Sequence, residues 1–365
     1  MQRELQTKLD RLRRLMAEKS LDALYLKRQD SFAWLTLGGI NYVGLGDMGN
    51  CGLLVTQDAL HAITNVIEAP RMRDEEMLEE LGYRIHFGAW HDTAFEGNCI
   101  RKLVPSGKVG FDHGNAMGAN VFGDVKLLRF SLTPEEVERY QEGGYLTARA
   151  IEETISSVRP GDTELKTVGR LAARIRESGL DVVSAMCAAD ERISHYRHPV
   201  PTEKVIRERV QLGGNMRYKG LIICCTRYVN FVPVSEALRR QYLANVEIDC
   251  TLMASSIPGN TYVSALEAGK KAYAERGYAE EFEKHHQGGP IGYAGRDYRV
   301  DFETPGLIQE HQAFCWNPSI TGTKSEDTVI VSSDGIIPVS QPIIAPRMEL
   351  EVMGHTFVRP QIWEG

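Results

Sequence analysis

The spacing of apolar residues over the first 130 positions alternates between that of helices and that of strands. Residues 3–19 carry an apolar residue every three or four positions, which predicts an amphipathic helix, and residues 71–81 have a helical pattern. Four short apolar runs predict strands: Asp22–Leu26, Cys51–Thr56, Ala62–Val66 and Lys108–Phe111. This alternation predicts an α/β domain over residues 1–130.

The pattern changes at Ser131, where a helix start precedes longer elements. Thr133 is suited to cap a helix, Pro134 to its first turn, and Glu135 and Glu136 to the positive end of its dipole. Three helices are predicted, over about residues 134–157, 164–178 and 262–276. Six strands are predicted: Val205–Leu212, Gly220–Cys225, Asn245–Ala254, Ala313–Asn317, Asp327–Val331 and Glu349–Val352. Residues 131–365 are therefore predicted to form an α+β domain with helices on a largely antiparallel sheet.

Composition restricts the classes of function. The chain has 365 residues and a net charge of −7, and its 42 Lys and Arg form no basic stripe, so we expect no nucleic acid partner. It has no apolar run of about 18 residues, the length needed to cross a membrane. The seven cysteines lack CxxC spacing, and the opening residues lack a signal-peptide pattern. We therefore expect reduced thiols and a cytoplasmic protein.

Four polar clusters at strand ends or in loops are candidates for chemistry: 195-HYRHP-199, 217-RYKGLIICCTR-227, 285-HHQGGPIGYAGRD-297 and 314-FCWNPSITGTKSEDT-328. None contains the motif of a phosphate loop, an HExxH zinc protease or a GxSxG serine hydrolase. Cys224 and Cys225 lie in an apolar strand and are interpreted as buried thiols. His198 and His286, each taken alone, are interpreted as surface or structural residues.

The order of these clusters resembles that of the pita-bread-fold superfamily of creatinase, aminopeptidase P and prolidase. The stretch RLRRLMAEKSLDALYL is similar to the start of their N-terminal domain, and SLTPEEVERYQEGGYLTARAIEETISSVRPGDTELKTV to the start of their catalytic domain. The resemblance covers nearly the whole chain. It implies an α+β fold in which a pita-bread catalytic domain, residues 131–365, follows a smaller α/β creatinase-type N-terminal domain, residues 1–130.

The resemblance also implies where a metal centre should lie. In the peptidases of this superfamily, two metal ions are held by two Asp, one His and two Glu. The matching positions here are near Gly213 and at Cys224, Gly289, Asn317 and Glu326. Only Glu326 keeps the ligand type. We therefore expect neither a metal ion nor another cofactor, with a single residual ion held by Cys224, Glu326 and a histidine as the alternative.

The residues that remain predict a site for a small polar molecule. By resemblance, His195 and His285 match the two histidines beside the scissile bond, and imidazoles can trade a proton near neutral pH. Glu326 is predicted to orient a histidine or to bind a basic group of the substrate. The remaining polar and aromatic residues of the clusters are predicted to bind substrate: Arg227, Arg296, Asp297, Asn317, Trp316 and Lys324.

The favoured hypothesis is a metal-independent enzyme that hydrolyses a C–N bond in a small, carboxylate-bearing substrate, although a lyase or isomerase would use the same groups. The alternatives are a non-catalytic binding protein on a dead peptidase fold and an Xaa-Pro peptidase-like enzyme with a rearranged site. The resemblance further implies a homodimer in which the N-terminal domain lies near the partner's site. Arg28, Trp34 or Asn41 would then be the residues to reach across.

Overall fold

A computed structural model describes residues 2–365. Contacts between residues divide the chain into two compact units, Met1–Phe130 and Ser131–Gly365. The helices of the first unit are α1 (Gln2–Lys19), α2 (Gln29–Leu35), α3 (Ala69–Asp74), α4 (Phe95–Leu103) and α5 (Phe122–Leu128). Its strands are β1 (Ala23–Arg28), β2 (Met48–Thr56), β3 (Leu60–Asn65), β4 (Tyr83–Gly88), β5 (Val109–Phe111) and β6 (Ala119–Asn120).

The strands of the first unit form one mixed sheet within residues 2–130, in the order β4-β3-β2-β1-β5-β6. Its core includes Tyr25, Leu54 and Phe111, which pack against α4. The predicted first helix and all four predicted strands are confirmed. The helix predicted over residues 71–81 is shorter, because the backbone turns at Met77, whose φ of +51° is incompatible with a continuing helix.

Two of the three residues predicted to reach a partner subunit are fully buried within the first unit. Trp34 and Asn41 have no exposed surface, and Asn41 Nδ2 donates to Cys51 O at 2.7 Å. Arg28 is half-buried and pairs with Asp30. The homodimer itself stays a prediction.

The second unit contains the longer elements. Its helices are α6 (Pro134–Ser157), α7 (Glu164–Glu177), α8 (Arg192–His195), α9 (Glu236–Ser255) and α10 (Tyr262–Glu275), with a 3₁₀ helix over Ala279–Lys284. Its strands are β7 (Asp181–Ala189), β8 (Arg209–Tyr218), β9 (Leu221–Asn230), β10 (Gly288–Pro290), β11 (Gln312–Trp316), β12 (Ser319–Ile320), β13 (Thr323–Lys324), β14 (Asp327–Ser332), β15 (Gly335–Pro338), β16 (Arg347–Val352), β17 (His355–Pro360) and β18 (Trp363–Glu364).

Two four-stranded sheets, ordered β18-β9-β8-β7 and β10-β11-β14-β15, dominate the described residues of the second unit, together with the strand pairs β12–β13 and β16–β17. Pairing within residues 131–365 is antiparallel except between β18 and β9. Antiparallel strands with helices on them are the predicted α+β arrangement, which is confirmed.

One strand prediction was wrong. Residues Asn245–Ala254 are the second half of helix α9. Polar and apolar residues alternate from Asn245 to Thr251, which is the pattern of a half-buried strand, and the polar residues Asn245 and Asp249 are buried, so the helical period is hidden. A helix start precedes this run, since Ser235 accepts a hydrogen bond from Leu238 N. Neither α9 nor any other helix within residues 2–365 is both long and apolar enough to span a bilayer.

Helix α6 begins as predicted and then lies against β9. Thr133 Oγ1 accepts from Glu136 N, and Glu136 Oε2 accepts from Thr133 N at 2.8 Å, which forms a capping box. Further along the helix, Gly144 approaches the backbone near β15 so closely that a Cβ atom would lie 2.1 Å from Val339 O. Helix α6 can therefore lie this close to Val339 only because Gly144 has no side chain.

The variant Gly144→Ala is expected to lower the free energy of unfolding by about 1–3 kcal/mol, because the added methyl group has no room. The matched control is Gly169→Ala on the exposed face of α7, where a Cβ meets nothing within 4 Å. That variant should stabilise the protein by about 0.5–1 kcal/mol, since alanine favours the helix. Urea unfolding of both variants is the measurement, and equal effects would contradict the packing described.

Candidate active site

The candidate site lies on one face of β9 and the chain that leads into β14. Side chains of a strand point alternately to its two faces. On one face, Thr226 Oγ1 donates to Glu326 Oε2 at 2.6 Å. On the other, Arg227 Nη1 donates to Asp327 Oδ1 at 3.0 Å. The side chains therefore form two separate polar groups. Thr226 and Glu326 belong to one group, and Arg227 and Asp327 belong to the other.

Glu326 is a buried carboxylate whose two oxygens both face cations. Lys324 Nζ lies 2.9 Å from Oε2, and Arg296 Nη2 lies 3.6 Å from Oε1. Burial alone would raise the pKa of Glu326, but the charges of Lys324 and Arg296 and the hydrogen bond from Thr226 hold it below its usual range. Glu326 makes no hydrogen bond to a histidine within residues 2–365. Its contacts are with the two cations, and its predicted roles in orienting a histidine or binding a basic group of the substrate stay predictions.

Arg296 connects Glu326 to two buried thiols. Its Nη1 lies 3.4 Å from Cys224 Sγ, and its Nη2 lies 3.6 Å from Cys315 Sγ. A hydrogen bond from Cys315, and then the Arg296 charge, lower the pKa of Cys224 against the effect of burial, whereas burial raises the pKa of Cys315. Cys224 is therefore the more acidic thiol of the pair. The predicted burial of Cys224 and Cys225 is confirmed.

Three histidines form a cluster next to this group. His285 Nε2 lies 3.1 Å from His198 Nε2, and the rings of His285 and His286 have centroids 4.4 Å apart. One ring nitrogen from each of the three lies within 4.8 Å of the others. His285 Nδ1 also lies 3.3 Å from Ser319 Oγ. His198 and His286, interpreted singly from the sequence as surface or structural residues, are thus two members of this histidine cluster.

The histidine cluster is neutral at neutral pH. Burial, and then the charge of Lys324, lower the pKa of both His285 and His198. Burial, and then the charge of Arg296, lower the pKa of His286. The nearby charges are positive on balance, so a protonated imidazole is disfavoured at each position.

His195 does not belong to the histidine cluster. It ends helix α8, is exposed, and stacks edge-on against Tyr196 with centroids 6.1 Å apart. The chain continues from there to His198, and this second histidine of HYRHP contacts His285. The structure therefore brings His198, and not His195, next to His285.

Two predicted substrate-binding residues are parts of the core. Arg227 faces away from Glu326, and its Nε donates to Glu152 Oε1 at 2.8 Å in addition to its bond with Asp327. Both carboxylates and the guanidinium are buried. Trp316 is fully buried and donates from Nε1 to Ser256 Oγ at 3.0 Å. Neither side chain is free to bind a substrate.

The other predicted residues are distributed around the site. Lys324 and Arg296 contact Glu326, as described. Asn317 is buried. Three buried atoms of the site, Asn317 Oδ1, Arg296 Nε and His286 Nδ1, have no hydrogen-bond partner among the described residues. Buried polar atoms of this kind normally have a partner, and a water or ligand can supply it. Asp297 is half-buried, and its charge, after burial, raises the pKa of Tyr298.

Reasoning from the sequence singled out neither Cys315, although it lies in one of the four polar clusters, nor Asn215. Cys315 lies opposite Gly289 in the β10–β11 ladder, and Asn215 lies opposite Cys224 in the β8–β9 ladder. Gly213, the position first matched to a metal-binding Asp, lies opposite Thr226. Strand register, which decides these pairs, is set by the folded sheet. The adjacent pair His285-His286 was the one local signal for the cluster.

The residues at the matched ligand positions do not fit a two-metal centre. Arg296 and Lys324 occupy the oxygens of Glu326 that metal ions would need, and they add positive charge. A Cβ on Gly289, whose φ is +144°, would lie 2.6 Å from Val300 Cγ2. A Cβ on Gly213 would lie 2.4 Å from Thr226 Oγ1. Neither position has room for a ligand side chain, so these sites cannot simply regain one.

Comparison with known proteins places the chain in a family. The model of metallopeptidase family M24 matches residues 138–333, more than half of the chain. An uncharacterised peptidase of Bacillus subtilis is 23% identical over 358 residues, which cover 90% of this chain and 96% of that protein. An uncharacterised peptidase of Staphylococcus aureus is 22% identical over 234 residues, which cover 60% of this chain and 66% of that protein, just under two thirds of its length.

A solved structure has the same fold over the whole length. The Xaa-Pro dipeptidase of Bacillus anthracis superposes with a TM-score of 0.75 at 21% identity, and the match covers 99% of both chains. Fold and comparisons together define a pita-bread hydrolase. The chain belongs to metallopeptidase family M24, within the superfamily of creatinase, aminopeptidase P and prolidase. The resemblance, the fold class and the hydrolase class expected from the sequence are confirmed.

Arg227→Ala is expected to lower the free energy of unfolding by about 3–5 kcal/mol, because Glu152 and Asp327 would be left buried without their cation. Arg227→Lys, which keeps the charge but makes fewer hydrogen bonds, should lose less. Arg299→Ala removes an exposed arginine and should change stability by less than about 0.5 kcal/mol. Chemical unfolding gives all three values. A normally stable Arg227→Ala protein that fails only to bind substrate would instead support the original substrate-binding prediction.

Proposed function

We propose that this protein hydrolyses a C–N bond in a small, carboxylate-bearing substrate without the two-metal centre typical of its family. The observation that carries the proposal is the position of Arg296 and Lys324 around Glu326. In this arrangement two protein cations take the place of metal charge. A fixed guanidinium and ammonium can stabilise negative charge that develops on a substrate oxygen, which is one of the tasks of a catalytic metal.

The charge balance favours an anionic substrate. Two cations, the half-buried Arg296 and the buried Lys324, face a single carboxylate, Glu326, in this group. Arg299 adds an exposed positive charge near His286 and His198. Arginine is suited to bind a carboxylate through two parallel hydrogen bonds. The partnerless Nε of Arg296 and Oδ1 of Asn317 are a donor and an acceptor that a polar ligand would satisfy.

His198 and His285 are the residues proposed to move the proton. They are neutral, so each offers a lone pair, and His198 is exposed and reachable from solvent. In the proposed reaction a water oxygen bonds to the substrate carbon while an imidazole takes the water's proton. The C–N bond then breaks, and the same proton passes to the leaving nitrogen. Atoms and charge balance without any further reactant.

Xaa-Pro dipeptides are a second candidate substrate, favoured by the fold match to the Xaa-Pro dipeptidase of Bacillus anthracis. A dipeptide of this kind has a free carboxylate and a C–N bond to be cleaved, so it falls within the proposed substrate class. The alternative of a binding protein differs in one outcome, because such a protein would bind small carboxylates without turning them over.

The test is turnover of a panel of N-acyl amino acids, guanidino and ureido acids and Xaa-Pro dipeptides, followed by mass spectrometry of the products in the presence of EDTA. We expect at least one compound to be hydrolysed. With that compound, His198→Ala and His285→Ala should each lower kcat by about 100-fold or more, since each removes a proton-transfer group.

His195→Ala is the matched control, because it removes an exposed histidine from the same loop outside the cluster. It should keep turnover close to that of the unmodified protein. Full activity of both His198→Ala and His285→Ala would end the proposed mechanism. Binding without hydrolysis across the whole panel would favour the binding-protein alternative.

A further inference from the structure

We propose that His198, His285 and His286 form a binding site for one late first-row divalent metal ion of the Zn²⁺ class, distinct from the two-metal centre of the family. The family positions lie on β8, β9, β10 and the segments around Asn317 and Glu326. The three histidines come instead from the loop after α8 and the segment before β10. No residue of the family centre is among them.

The geometry of the cluster supports ligation. The Nε2 atoms of His198 and His285 are 3.1 Å apart, close to the separation of about 3.3 Å expected for two nitrogens on a tetrahedral Zn²⁺. The third imidazole offers a nitrogen within 4.8 Å of the other two. Three imidazoles leave one position of a tetrahedron open for water or a substrate atom.

Neighbouring groups prepare the imidazoles for this role. A proton on His285 Nδ1 can be donated to Ser319 Oγ, 3.3 Å away, which leaves the lone pair on Nε2. His286 Nδ1 is inaccessible to solvent and has no hydrogen-bond partner among the described residues. All three rings are neutral, so a metal ion need not displace a proton from a charged imidazole.

The type of ligand atom determines which metal ion fits the cluster. Arg197 near the cluster is paired with Glu281 at 2.6 Å, whereas Arg296 and Lys324 share the single carboxylate Glu326, so binding of an ion depends on the three imidazole lone pairs and not on a favourable charge. No carboxylate oxygen belongs to the cluster as found within residues 2–365. Hard ions such as Mg²⁺ and Ca²⁺, which require oxygen ligands, are therefore disfavoured, whereas Zn²⁺ accepts imidazole alone.

A metal ion at this site would occupy the lone pairs that the proposed hydrolysis uses, so Zn²⁺ should inhibit turnover. That consequence rests on the proposed function, but binding of the ion does not. The binding experiment below therefore tests the site separately from the reaction.

The test is isothermal titration of the full-length, EDTA-treated protein with Zn²⁺ and with Mg²⁺. We expect one Zn²⁺ per chain and no measurable Mg²⁺ binding. His198→Ala and His286→Ala should each weaken Zn²⁺ binding at least tenfold, and His195→Ala should leave it unchanged. Thermal unfolding of each variant checks that the fold is kept.

Cys224→Ala distinguishes this site from a thiol site, since Cys224 and Cys315 could also attract Zn²⁺. We expect Zn²⁺ binding to survive in Cys224→Ala. The absorption spectrum of the Co²⁺-substituted protein should also lack a thiolate-to-metal charge-transfer band. Absence of Zn²⁺ binding in the unmodified protein, or its loss in Cys224→Ala but not in the histidine variants, would overturn the proposal.

Discussion

The contact between Glu326 and its two cations is the interaction on which the rest of the site depends. A buried carboxylate is costly unless its charge is compensated, and here Lys324 and Arg296 provide that compensation from opposite oxygens. Arg296 in turn reaches Cys224 and Cys315, and burial, followed by the charges of the two cations, lowers the pKa of the neighbouring histidines His285 and His286. The electrostatics of the whole site therefore follow from one buried ion group.

Because strand side chains point alternately to two faces, the residues of the candidate site are separated from those of the buried core. Thr226 and Glu326 face the site, whereas Arg227 and Asp327 face a buried network that continues through Arg359 to Asp249. Arg227 also reaches Glu152, which accepts three backbone N–H groups of residues 343–345. This network holds β9, β14 and α6 together, so the positions of Thr226 and Glu326 rest on a rigid support.

Much of the fold could be predicted from local signals, and much of the site could not. The helix start at Thr133 and the strands of the first unit have patterns that depend on near neighbours alone. The second half of helix α9 was mistaken for a strand because polar and apolar residues alternate there, with polar residues buried inside the protein. The contacts of Arg227, Cys315 and Asn215 depend on strand register and on the face of the sheet to which each side chain points. Neither can be predicted from a single sequence. Motif order pointed to His195, whereas in the folded loop it is His198 that contacts His285.

The central claim is that this member of a metallopeptidase family has no two-metal centre. The most direct measurement is the metal content of the protein after saturation with Mn²⁺ or Co²⁺ and removal of loosely bound ions, in parallel with Glu326→Gln. We expect fewer than two tightly bound ions per chain, and a metal content that does not fall in Glu326→Gln. Two ions per chain that are lost in Glu326→Gln would contradict this claim.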